Sequence, residues 1–149
     1  IWIERGPGGE ATPGATLPAM NQPEGDLAEA MTRAMVQFNA GQFWECHETL
    51  EDFWGAEQGP LRQFLHGFIQ VSAGFVHVQR LNWPGAMRLL GEGAEKLEPF
   101  RPACLGLDVD GLLHDVGVWR RELAHLGPAT MREALRLPLP HAQAWTETE

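Results

Sequence analysis

The 149-residue chain predicts an all-α fold, a single-domain bundle of about five mostly antiparallel helices. Three observations carry this expectation. Apolar residues recur at three- and four-residue spacing through most of the chain, and no segment alternates at period two for long enough to form a sheet. Breaks containing Gly, Pro or Asn separate the periodic runs at short intervals, which makes sequential helices antiparallel neighbours.

Residues 1–25 contain nine Gly or Pro residues and no sustained period, so they bury too little apolar surface to offset chain entropy and read as a disordered tail. The pattern changes at Asp26, a capping residue before a stripe of Leu27, Ala30, Met31, Ala34 and Phe38. Asn39-Ala40-Gly41 ends this first helix, because Gly accepts the left-handed conformation that closes helices. A second helix runs from Phe43 to Gly55, with Phe43, Leu50 and Trp54 on one narrow arc. Gly59-Pro60 interrupts, and Pro60 suits the first turn of a third helix through Leu61, Phe64, Phe68, Val71, Phe75 and Val78. That helix is apolar around most of its circumference and is expected to be central. Gly67 and Gly74, about two turns apart, let a neighbouring helix approach closely.

Asn82-Trp83-Pro84 opens a fourth helix, with Ala86, Leu89, Leu90, Gly93, Ala94 and Leu97 on its stripe and Pro99 and Pro102 beyond its end. Asp108 or Asp110 caps a fifth carrying Leu112, Leu113, Val116, Trp119 and Leu123, and Gly127-Pro128 stops it. A short helix fits over residues 129–135, and residues 138–149 read as a frayed tail, leaving 26–137 as the helical domain.

Eleven Lys and Arg against twenty Asp and Glu give a formal charge of -9, which disfavours a surface that tracks phosphates. No stretch approaches the roughly 18 uninterrupted apolar residues of a membrane helix. Cys46 and Cys104 form no paired spacing and read as reduced structural thiols, and no secretory leader is recognised, so a cytoplasmic protein is expected. Trp44, Trp54, Trp83 and Trp119 read as core anchors, and His114, His125 and His141 as solvated.

The chemistry concentrates in the second helix, at Glu45, His47, Glu48, Glu51 and Asp52. On a helical wheel His47 and Glu51 share the arc of Phe43, Leu50 and Trp54, Glu48 lies farther round, and Glu45 falls opposite Trp54. An ionisable pair on the core side must recover hydrogen bonds from a partner. The third helix offers one, since Gln63, His66, Gln70 and His77 lie within roughly 60° of one another. Two readings stay open. One is a buried hydrogen-bond network that fixes register, in a structural or protein-interaction module. The other is a metal or small-ligand site, with hydrolysis among its activities, since imidazole and carboxylate together suit zinc, manganese, iron or nickel. For a divalent transition metal the candidate ligands are His47, Glu48, Glu51 and His66. Known signatures narrow this: His47-Glu48-Thr49-Leu50-Glu51 has Glu where the zinc-protease motif needs its second His. The di-iron signature of a Glu three residues before a His is also absent, at positions 44, 63 and 74.

The run Phe38-Asn39-Ala40-Gly41-Gln42-Phe43-Trp44-Glu45-Cys46-His47-Glu48-Thr49-Leu50-Glu51-Asp52-Phe53-Trp54, then Gly67-Phe68-Ile69-Gln70, Asn82 and Gly85-Ala86, resembles the small bacterial and archaeal domain-of-unknown-function family three hundred and nine. The resemblance covers about Asp26 to Phe100 and implies an all-helical fold without implying an activity. Its pattern falls on Phe38, Asn39, Gly41, Glu45, His47, Glu48, Glu51, Trp54, Gly67, Gln70 and Asn82, which overlaps the inward polar cluster. The resulting candidate site is Glu45, His47, Glu48, Glu51, Gln70, His77 and Asn82. The expected partners are a small ligand or metal, without nucleic acid or membrane, and with a homodimer left open.

Overall fold

The computed structural model describes residues 24–146 and contains α1 (Glu24–Asn39), α2 (Phe43–Ala56), α3 (Leu61–Gln79), α4 (Trp83–Leu97) and α5 (Val109–Thr130). Residues 1–23 of the expected tail lie outside the described residues, and the first helix begins at Glu24 rather than at the Asp26 cap. α1 closes as expected: Gly41 sits at φ +80°, and the amides of Gln42 and Gly41 donate back to the carbonyls of Gln37 (2.9 Å) and Phe38 (3.0 Å). The same pair of bonds closes α3, from Asn82 to His77 (2.8 Å) and from Leu81 to Val78 (3.0 Å). There Leu81 takes the left-handed position at φ 58°, a conformation that costs a side-chain-bearing residue roughly 1–2 kcal/mol.

α3 is the central element. Thirteen of its residues are buried, including Phe64, Phe68, Ile69 and Phe75. Phe38 of α1 meets Phe43, Phe68 and Phe75 at ring-centroid distances of 5.0, 5.5 and 6.0 Å, and Trp119 of α5 meets Phe75 at 5.5 Å. One aromatic cluster thus ties α1, α2, α3 and α5 together. On its other side α3 packs against α4 through glycines. A Cβ on Gly93 would stand 2.8 Å from the Gly67 carbonyl oxygen and 2.9 Å from the Val71 amide, and one on Gly74 would stand 2.7 Å from Leu90 Cδ2. The close approach expected of Gly67 and Gly74 is present, and Gly93 supplies the facing half of the seam.

The C-terminal third departs from expectation. A two-stranded antiparallel sheet, β1 (Ala103–Cys104) with β2 (Leu107–Asp108), turns the chain from α4 to α5, too short to register as alternation. Gly127, at φ +75° and ψ 177°, interrupts α5 where Gly127-Pro128 was expected to stop it, and the short helix expected over residues 129–135 is a 3-10 helix, Met131–Arg136. Residues 138–146 are not frayed. Asn39 clasps Ala142 with both side-chain atoms (3.1 and 2.7 Å), Ala144 bridges Leu107, and the Trp119 indole donates to the Pro138 carbonyl at 3.1 Å. Every one of these bonds is made to a residue distant in sequence, so no local period announces them. Residues 147–149 lie outside the described residues.

Candidate ligand site

α2 presents two faces, as its period dictates. Phe43, Cys46, His47, Leu50 and Trp54 are buried, whereas Glu45 and Glu48 are exposed on the opposite side. Glu45 and Glu48 therefore fall outside the inward cluster, which corrects their expected place in it. Cys46, next to His47 on the buried face, contacts Ser72 Oγ at 3.2 Å, and burial pushes its thiol up to about 12. It is a packing thiol, not a nucleophile.

The His47 side chain is 3% exposed, and its Nε2 lies 3.3 Å from Glu51 Oε1 one turn on. Glu51 is itself 40% exposed, so the pair straddles the surface rather than being buried whole as expected. Desolvation pushes the His47 imidazole down to about 4, opposed in part by its hydrogen bond to the Trp44 backbone. At neutral pH the imidazole is uncharged. The Trp44 ring packs at 4.9 Å from it, with the Arg80 guanidinium 6.0 Å from the Trp44 centroid.

The polar stripe of α3 mostly meets α4 rather than α2. Gln63 Nε2 donates to the Lys96 carbonyl at 3.1 Å, and Gln70 Nε2 donates to Glu92 Oε1 at 3.1 Å. His77 Nδ1 pairs with Asn82 Nδ2 at 3.0 Å, and Asn82 Oδ1 accepts from the Gly85 amide at 3.3 Å, capping α4. Burial lowers the His77 pKa, with Arg80 and Arg88 adding to the effect. Contact with α2 comes at the two ends of the stripe, where His66 stacks on Trp54 at 4.3 Å and Arg80 approaches Trp44. His47 and Glu51 sit between Trp44 and Trp54 on α2, and antiparallel register sets them alongside the middle of the stripe, where Gln70 lies.

The expected metal set is not assembled. Among the described residues no three or more His, Cys, Asp or Glu side chains come together to hold a metal ion. Glu48 faces away, and His66 is turned flat against Trp54. What the geometry creates instead is a row of hydrogen-bonding groups on α3 and on the two helices packed against it, with Gln70 bonded to Glu92 of α4 and His47 paired with Glu51 on α2. Gln70 is 3% exposed, and its Oε1 is buried with no hydrogen-bond partner. Such an acceptor costs about 1–3 kcal/mol unless a donor meets it.

Two contributors were missed by sequence reasoning. Glu92 and Arg88, 3.6 Å apart on α4, look in sequence like an ordinary surface pair at i,i+4 spacing. Only the glycine seam brings their helix close enough for Glu92 to reach Gln70.

The family pattern described as a domain of unknown function, DUF309, matches residues 31–89. The uncharacterized protein YpuF of Bacillus subtilis (strain 168) is 36% identical over 83 residues, which are 53% of this chain and 48% of that protein. The chain thus spans about half the length of this relative. No solved structure matches. No helix among the described residues is long and apolar enough to cross a membrane.

Proposed function

We propose that this chain, whose residues 31–89 match the DUF309 family pattern, binds a small polar ligand at the row of polar groups around Gln70, with Gln70 Oε1 accepting a hydrogen bond from the ligand. The unpartnered buried oxygen is the observation that carries the reading. The groups around it favour a ligand rich in N–H or O–H donors, since Glu51 and Glu92 are carboxylates with side chains 40% and 41% exposed, and His47 is neutral. Arg88 and Glu92 are exposed and 3.6 Å apart, a pair that separates at little cost when a ligand enters. A divalent metal fits less well, because the nearest imidazole and carboxylate form a pair and not a set of three.

The structural reading draws on different residues. His77, Asn82 and Gly85 form a closed capping unit between α3 and α4, and this part of the cluster serves the fold.

Gln70→Leu separates the two readings. Under the ligand reading the free protein keeps its stability to within about 1 kcal/mol or gains, because the change removes an unsatisfied acceptor and Glu92 turns to water. A rise in the native protein's melting temperature with putrescine, ethanolamine or glycerol is expected, and the substitution abolishes it. A loss above about 2 kcal/mol in the free variant, with no shift from any of the three compounds in the native protein, assigns Gln70 to the fold alone.

A further inference from the structure

Away from Gln70, α3 begins beside an open surface cavity of about 680 Å³ lined by Arg62, Gln63, His66, Glu95, Lys96 and Phe100, among others. We infer that this cavity binds an organic anion, a phosphate or carboxylate group carried on a flat apolar body. Two cations line it in a chain whose formal charge is -9, and the lining carboxylate, Glu95, is exposed whereas Arg62, His66 and Lys96 are half-buried. Half-burial strengthens the attraction of these cations for a bound anion relative to fully solvated ones.

The lining is also held in place. The Arg62 guanidinium lies 5.1 Å from the Trp54 ring centroid, and His66 stacks on the same ring at 4.3 Å with 21° between planes. A single buried tryptophan thus orients two of the groups that face the cavity, and Gln63 fastens α3 to α4 through the Lys96 carbonyl. The cavity lies at the positive end of a 19-residue helix that has no acidic residue in its first turn and no side-chain cap, so the backbone dipole adds to the side-chain charge. A bare oxyanion would fill a small part of the space. Phe100, set edge-on against Phe64 at 5.5 Å, offers the apolar wall for the rest of the ligand.

Calorimetric titration at low ionic strength with phenyl phosphate, benzoate and inorganic phosphate tests the assignment. At least one of the two aromatic anions is expected to bind saturably, and the stronger of the two tells phosphate from carboxylate. Arg62→Gln and Lys96→Gln each weaken that binding about tenfold, as expected for loss of a charge-assisted contact. Phe100→Leu weakens the aromatic anion and leaves inorganic phosphate unchanged. Circular dichroism of each variant verifies the fold, and Gln70→Leu, outside the cavity, leaves the titration unchanged. Absence of saturable binding by either aromatic anion overturns the inference, as does binding that Arg62→Gln leaves intact. Equal affinity for inorganic phosphate and the aromatic anions removes the apolar wall from it, and loss of binding in Gln70→Leu shows that the cavity is not a separate site.

Discussion

The two sides of α3 that meet α4 are built to opposite rules. Along the glycine seam, backbone touches backbone: a single added carbon on Gly93 would stand 2.8 Å from the Gly67 carbonyl oxygen, and nothing there can move without moving a helix. Along the polar stripe a few ångströms away, Gln70, His77 and Gln63 reach α4 through side chains, and the Arg88–Glu92 pair beside Gln70 remains exposed. The seam fixes where the helices are, and the stripe uses that fixed distance to place polar groups. Rigidity in one allows incomplete satisfaction in the other, because Gln70 Oε1 cannot drift toward a donor while the backbone beneath it is locked.

The largest loss of stability is expected from the seam. Gly93→Ala is expected to cost roughly 2–3 kcal/mol by overpacking, even after the better helix propensity of Ala is credited, and urea denaturation measures it. A cost below about 1 kcal/mol would mean that the helices separate easily and would break the comparison.

The next largest effect is a pH dependence from the opposite flank of α3. The His47 imidazole is pushed from its ordinary 6.5 down to about 4 in the folded protein, so the unfolded chain takes up the proton first. Its contribution to stability is complete above about pH 6.5 and is lost as pH falls from there through 4, by about 2 kcal/mol once partial solvent screening is allowed for. Denaturation midpoints across that window check this, and His47→Gln flattens the slope. An unchanged slope in His47→Gln would place the acid sensitivity in other residues.

The smallest effect belongs to the stripe's closed unit. Asn82→Ala removes the cap on α4 and the partner of His77, and is expected to cost about 1 kcal/mol. A near-zero cost in thermal melts would extend the stripe's tolerance to its best-bonded residues and sharpen the contrast with the seam.

Helix faces were legible wherever they depend on period alone. The burial of Phe43, His47, Leu50 and Trp54 follows from α2's periodicity, and the inward face of α3 follows from an apolar run with polar residues confined to one stripe. The partner of that stripe was not legible. Gln70 and His77 bond to Glu92 and Asn82, partners the expectation of a facing α2 did not include, because the close approach at Gly67, Gly74 and Gly93 brings α4 nearer to α3 than side-chain spacing alone would. The C-terminal segment illustrates the same limit. Its order rests on Asn39 clasping Ala142, a contact across 103 positions that neither partner's neighbourhood reveals.

By itself the sequence determined the all-helical class, the positions of most helix ends and which side chains face inward, since each depends on capping chemistry and on a 3.6-residue repeat that acts within a few residues. Tertiary structure decided which inward groups share hydrogen bonds and which buried oxygen lacks one. It also left His47 with a half-exposed carboxylate rather than a set of metal ligands. Those outcomes depend on how closely two helices pack, and that distance is set by contacts between residues far apart in the chain, whose sum no local pattern contains.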